Sequence, residues 1–309
     1  MSPALMPSEE EVERIVLGPD SIVWQRFSDM RLFAGAGYAL LLQVAHPTVG
    51  AGVRDHSTFE QDPWGRFLRT SDYLNLLVYG GREAAAMGHR LRELHKSIKG
   101  TNPDGSTYHA LEPEAYAWVH ATLLDAALRA HELFVGRLAR EDVERFYAEY
   151  MPLGRLVGVR AEDLPPDLAS FQDYFDEMVS EGLEHNETVD RVLRSVTEPA
   201  PPPPFITRAE WLWRLLRIAP TRAHRLATIG MLPPILRHRF GITWTRSNGA
   251  ELRAVAAASR TAGPLMPKRL RVMGPAYLRW RADEIYRGPL GAGGNGVLGA
   301  GQEPVAHAA

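Results

Sequence analysis

The segment RLRELHKSIKG, residues 90–100, sets a lone imidazole between cations: Arg92, His95 and Lys99 stand at offsets of three and four. On a continuous helix those offsets put all three side chains on one stripe. A neutral ring nitrogen there can coordinate an iron, while cations a turn away can meet carboxylates, haem propionates among them. The same stripe also suits a solvated helix face with ordinary surface charges. RFLRT, residues 66–70, repeats the geometry. Arg66 and Thr70 share a helical face with Arg69 at its edge, so a guanidinium and a hydroxyl could steer an oxidant, hold a carboxylate or simply bridge to a nearby acid.

Other metal chemistries are excluded by what is missing. The 309 residues contain no cysteine, which removes disulfides, thiolate metal sites and a cysteine nucleophile. Eleven histidines are present, yet no HExxH occurs. His89 and His95 are six apart and point away from each other on a straight helix. His120, in AWVHATL, is the runner-up ligand because it lies on a strongly apolar helix, where a core histidine bonded to a carbonyl is the other reading. His46 and His56 are lesser pocket candidates, from a Gly-, His- and aromatic-rich stretch, QVAHPTVGAGVRDHSTFEQDPWGRF, expected to line a site between two helices.

The elements that must position these groups read as helical. SEEEVERIVL opens with acids after Ser8; Asp20 to Ala45 reads as a central helix stopped by His-Pro. Ser71 to Gly100 carries helical apolar spacing with a break or kink at Gly80-Gly81. NPDGSTYHA suits a hairpin or loop, and EPEAYAWVHATLLDAALRAHELFVGRL a helix entered at Pro113. EDVERFYAEYM, DLASFQDYFDEMVSEGL, RAEWLWRLLRIA, TRAHRLATIGMLPPILRHRF and AELRAVAAASRTAG follow as helices, with alternating strand patterns scarce. The fold class is all-α. EPAPPPPF, from Glu198 to Phe205, is either a linker between domains or a strap across one; the apolar helices around it favour one domain. The expected organisation is an N-terminal segment 1–19, one helical domain 20–287 and a Gly/Ala-rich disordered tail 288–309.

Hydrophobic residues at 45% and charged residues at 23% are the balance of a globular protein, and a net charge of −2 offers no basic field for nucleic acid. The longest apolar run, LFAGAGYALLLQVAH, falls short of the roughly 18–20 residues needed to cross a bilayer. The N-terminus lacks a secretory pattern, so the expected location is cytoplasmic.

AHPTVGAGVRDHSTFEQDPWGRFLRTSDYLNLLVYG, RLRELHKSIKG, YHALEPEAYAWVHATL and GMLPPILRHRFGITW, in that order, resemble the family of the latex-clearing rubber oxygenases and the MpaB-type mycophenolic-acid prenyl-chain oxygenase, from about residue 20 to about residue 285. The resemblance implies a b-type haem on one proximal histidine in a globin-like helical core. The family's Arg-x-x-His-x-x-x-Arg arrangement falls on Arg92, His95 and, with lysine in the last place, Lys99, making His95 the proximal ligand. Its distal Arg-x-x-Lys-Thr falls on Arg66, Arg69 and Thr70. Arg69 stands where the rubber oxygenases have a lysine able to ligate iron; an arginine stays protonated, which leaves the sixth position open or water-filled. Their proposed glutamate base has no counterpart, Glu60 being the nearest carboxylate. The implied activity is haem b-dependent oxygenation, with dioxygen as co-substrate and a possible electron donor. The substrate would be a lipophilic terpenoid, polyketide or lipid-like molecule lodged near Leu40 to Val44, with C=C cleavage inferred from kinship. A haem-binding gas sensor or carrier without turnover is the alternative.

Overall fold

The computed structural model describes residues 6–198, 201, 202, 213 and 217–287. Much of EPAPPPPF and of RAEWLWRLLRIA, and the tail from 288, lie outside them, as does Met1 to Leu5. Among the described residues the fold is a single all-α domain, with one two-stranded antiparallel hairpin.

Local chemistry sets the helix starts. Ser8 caps α1 (Glu9–Ile15) by accepting from the Glu11 N–H, and Ser21 caps α2 (Ile22–Phe27) through the Trp24 N–H. The single helix expected from Asp20 to Ala45 is interrupted. Ser28 donates its hydroxyl to the Gln25 carbonyl, and Asp29 accepts from the Arg31 backbone and grips its guanidinium at 2.7–2.8 Å. These local bonds compete with the helical ladder, and a 3-10 turn, Met30–Gly35, intervenes before α3 (Ala36–Ala45). His46-Pro47 then ends α3 and opens α4 (Pro47–His56), the chain turning by 103°. α4 occupies the stretch expected to be an irregular site loop. It packs closely because Gly50 has no side chain: a methyl there would meet the Val44 carbonyl at 2.5 Å, and Thr188 donates to the Gly50 carbonyl.

α5 (Pro63–Tyr79) starts with Asp62 as cap and Pro63 in the first turn, earlier than the periodicity suggested. After the Gly80-Gly81 break, α6 (Glu83–His95) ends at His95 itself, and the chain enters β1 (Lys99–Thr101), paired with β2 (Thr107–His109) in the register Lys99↔His109. α7 (Pro113–Ala130) closes in a π-turn at His131–Val135. α8 (Arg140–Tyr150), α9 (Leu153–Leu156) and α10 (Leu168–Glu177) follow. α11 (Glu187–Thr197), α12 (Ile218–Met231), α13 (Pro234–Arg239), α14 (Arg246–Ala262), the short α15 (Lys268–Arg271) and α16 (Gly274–Arg287) complete the chain.

α3 is the central helix: Tyr38, Leu41, Leu42 and Val44 are fully buried where α4, α7, α11 and α12 pack around it. Trp118 of α7 donates its indole N–H to the Leu42 carbonyl. The proline run touches this body, since Trp64 donates to the Pro201 carbonyl. Two tight approaches fix the helices that matter below. A methyl at Gly88 would overlap the Leu156 carbonyl oxygen, so α6 lies backbone to backbone on α9. On the other flank, Asp72 of α5, almost fully buried, accepts two guanidinium bonds from Arg281 of α16 at 2.9–3.0 Å and one from the Tyr277 hydroxyl at 2.6 Å.

Candidate functional site

The last turn of α6 presents His95 with one nitrogen already committed. Nδ1 lies 2.7 Å from the Leu91 carbonyl oxygen. A carbonyl only accepts, so Nδ1 carries the proton and the neutral ring keeps its lone pair on Nε2, which bonds to no described residue. Burial is the main cause holding the His95 pKa below its ordinary value; the Leu91 bond opposes it, and the positive charges of Arg66 and Arg92 add to it. The ring is therefore kept neutral, the state in which imidazole binds a metal.

Arg66 faces it from α5. It is exposed by surface area, yet burial is the first cause of its lowered pKa, ahead of Arg69. Both hold for a side chain in a crevice, open to water on one side and walled by protein on the others. Among the described residues Arg66 has no hydrogen-bond or ion-pair partner, which makes it a guanidinium available to a ligand. Thr70 and Tyr73 continue its face at the fourth and seventh positions. Burial raises the Tyr73 phenol to about 12, with Arg66 and Arg90 opposing. Tyr116 of α7 closes the group: its ring stands edge-on to His95 at 5.8 Å, Arg92 lies 6.0 Å over it, and its hydroxyl is buried without a partner. A small cavity of about 180 Å³ opens beside Arg92, Tyr116 and Arg160. It is below the 300–1,000 Å³ usual for a ligand pocket, and neither Arg66 nor His95 lines it.

Two helices, α5 and α6, thus bring Arg66 near Arg92 and His95, with Thr70 on the Arg66 face, and the remaining sequence candidates fall elsewhere. Lys99 does not share the stripe of Arg92 and His95: α6 stops at His95 and Lys99 is an exposed strand residue. Arg69 turns back to its own helix cap, 3.2 Å from Asp62. His120 is a core histidine, its Nε2 donating to the Met151 carbonyl at 3.1 Å and its ring stacked on Tyr150 at 4.7 Å. Gly154 sits so close to that ring that no ligand fits between. His46 is buried at the α3–α4 corner with Nδ1 unpartnered, and His56 is exposed beside Tyr108. Glu60 is taken by a two-point ion pair with Arg191, whose hydrogen bonds lower its pKa. Leu41, Leu42 and Val44 pack into the core and line no substrate space.

Sequence reasoning missed Tyr73 and Tyr116. Tyr73 was findable, three residues past Thr70 on the same face; Tyr116 comes from a separate helix and carried no such signal. A hollow of about 1,220 Å³, an open groove of mixed charge along α7, α8 and α10, contains none of these residues. An unpaired guanidinium beside a pre-set imidazole marks the Arg66–His95 group as the candidate site on its chemistry.

No three His, Asp or Glu residues converge among the described residues. The molecule is an all-α protein in which α5, α6 and α7 set Arg66, Arg92 and Tyr116 around the His95 imidazole. The sequence comparison agrees. The chain belongs to the family described as ER-bound oxygenase mpaB/B'/Rubber oxygenase, whose catalytic-domain pattern matches residues 24–261. It is 26% identical over 235 residues to the uncharacterized protein Rv2237 of Mycobacterium tuberculosis and equally to the uncharacterized protein Mb2261 of Mycobacterium bovis, covering 74% of this chain and 88% of each relative. No solved structure matches significantly.

Proposed function

We propose that the chain is a haem b-dependent oxygenase for a lipophilic small molecule, in which His95 would hold the haem. The observation that carries the reading is the Nδ1–H bond to the Leu91 carbonyl, which fixes ring and tautomer and leaves Nε2 as a donor. The residues fit the group: one imidazole supplies the single protein ligand a porphyrin iron needs, and Arg92 offers a carboxylate partner beside it. When bound, a haem supplies dioxygen activation at its iron.

The remaining work belongs to the chain. Arg66 and Thr70 hold a positive charge and a hydroxyl on the α5 side, where negative charge developing on oxygen is stabilised without solvent reorganisation. The buried Tyr116 hydroxyl, unpartnered among the described residues, is a second donor. Arg69, held at Asp62, stays out of this role. An electron donor and a terpenoid, polyketide or lipid-like substrate complete the scheme, with oxidative C=C cleavage as the reaction to test first.

The test is an absorption spectrum of haem-supplemented protein beside His95→Ala and His120→Ala. A Soret band present in wild type, lost in His95→Ala and kept in His120→Ala is expected. A band surviving in His95→Ala would reassign the ligand, and a colourless wild type would end the haem reading. Substrate-dependent dioxygen consumption then separates an oxygenase from a gas carrier.

A further inference from the structure

On the flank opposite the central core, α15, α16 and the turn before them carry a surface the oxygenase reading does not use. Leu265 is 84% exposed and Trp280 63% exposed, and Met266, Leu270 and Met30 join them as exposed large apolar side chains. These are side chains from neighbouring elements: α15 packs on the 3-10 turn that begins with Met30, and Asp29 bridges to Val272. Isolated exposed leucines are ordinary, but five large apolar groups on one flank are not.

The charges around them are mostly cationic; Asp29, paired with Arg31, and Glu284, 3.9 Å from Arg281, lie at the edges with Asp283. From Pro264 to Arg281 the sequence has five cations and no acid. Arg281 is occupied by Asp72, and Arg271 lies 3.8 Å from Asp29. Lys268, Arg269 and Arg279 are exposed and form no ion pair with any described residue. A strongly exposed leucine at a turn tip, an exposed tryptophan and free cations on long stems are the pattern of a surface that dips apolar groups into lipid while ammonium and guanidinium groups reach anionic headgroups.

We infer that this flank docks the protein peripherally on an anionic phospholipid bilayer. Charge complementarity selects the occupant: each free cation near an anionic leaflet strengthens attachment by about fivefold. No single helix among the described residues is long and apolar enough to cross a membrane, so attachment is to one leaflet. The placement has a functional consequence. α16 packs along α5, the helix that carries Arg66 and Thr70, so docking sets the site-bearing helix beside a phase in which lipophilic molecules dissolve. The docking itself requires no cofactor, and its test is independent of the haem assignment.

The experiment is flotation of the purified full chain with large unilamellar vesicles of phosphatidylcholine alone or with about one-third phosphatidylserine. Wild type co-floats with the anionic vesicles, and binding falls as salt rises from about 0.1 to about 0.5 M. Leu265→Ser/Trp280→Ser lowers the partition by about tenfold or more, and Lys268→Gln/Arg269→Gln lowers it on anionic vesicles only, both with unchanged melting. Failure of wild type to float with anionic vesicles overturns the inference, as does equal flotation of the apolar double variant. So does retention on immobilised polyglutamate without flotation, which assigns the flank to an acidic protein. A wild-type dimer that the double variant makes monomeric, again without flotation, assigns it to a second copy.

Discussion

At the residue scale, histidines of one type divide by the bond each makes. His95 and His120 both meet a backbone carbonyl, but His95 uses Nδ1 and leaves Nε2 without a described partner, whereas His120 spends Nε2 on Met151 and is walled in by Gly154 and Tyr150. Burial lowers the His120 pKa to about 4 from an ordinary 6.5. Its folded value lies below its unfolded one, so the unfolded chain takes up the proton first. Stability is intact above pH 6.5 and falls as pH drops toward 4, by about 3 kcal/mol when complete. Urea unfolding of His120→Asn against wild type checks this: the variant, weaker at pH 7, should lose less on acidification. Parallel losses in both proteins would refute the assignment. Arg66→Ala, removing an unpaired crevice cation, should leave melting within about 0.5 kcal/mol of wild type while turnover on the eventual substrate falls about 100-fold.

At the element scale, two contacts aim the site helices. Gly88 seats α6 on α9, two turns before His95. Gly88→Ala should cost about 1–3 kcal/mol through overpacking and shift the absorption spectrum of the haem-loaded protein, read by thermal melting and spectroscopy together. The Asp72–Arg281–Tyr277 cluster ties α16 to α5. Arg281→Met strands a buried carboxylate and should cost roughly 3–5 kcal/mol, whereas Arg281→Met/Asp72→Leu should recover much of the loss. Denaturation of both variants decides; equal losses would mean that packing, not charge, is what Arg281 supplies. Helix ends were the least readable feature in the sequence. Periodicity carried α6 through to Gly100, but pairing of residues 99–101 with 107–109 takes the chain into a hairpin and removes Lys99 from the stripe. Likewise Ser28 and Asp29 broke the expected long first helix by bonding their own backbone and neighbours.

At the scale of the whole molecule, a cofactor that binds only the folded chain raises stability by mass action. Haem at a hundredfold excess over its dissociation constant should add about 2.7 kcal/mol, several degrees in Tm, to wild type and to His120→Ala but not to His95→Ala. Equal shifts in all three would place haem somewhere other than the α5–α6–α7 crevice. The groove of about 1,220 Å³ along α7, α8 and α10 contains none of Arg66, Thr70, Arg92 and His95, so binding there would leave the three proteins' shifts equal.

The amino-acid sequence alone determined the all-α class, the cap at Ser8, the Pro113 start, a turn-rich hairpin or loop from Asn102 and the family, because these rest on spacings within a turn or two and on ordered local motifs. It also singled out Arg66, Thr70, Arg92 and His95, whose offsets are local. Tertiary structure alone decided that Arg69 folds back to Asp62, that Glu60 is spent on Arg191, that Tyr116 joins His95 from another helix, and that Leu41 to Val44 fill the core. Each of those outcomes depends on a partner distant in sequence or on which face a neighbouring helix covers, and no local spacing encodes either.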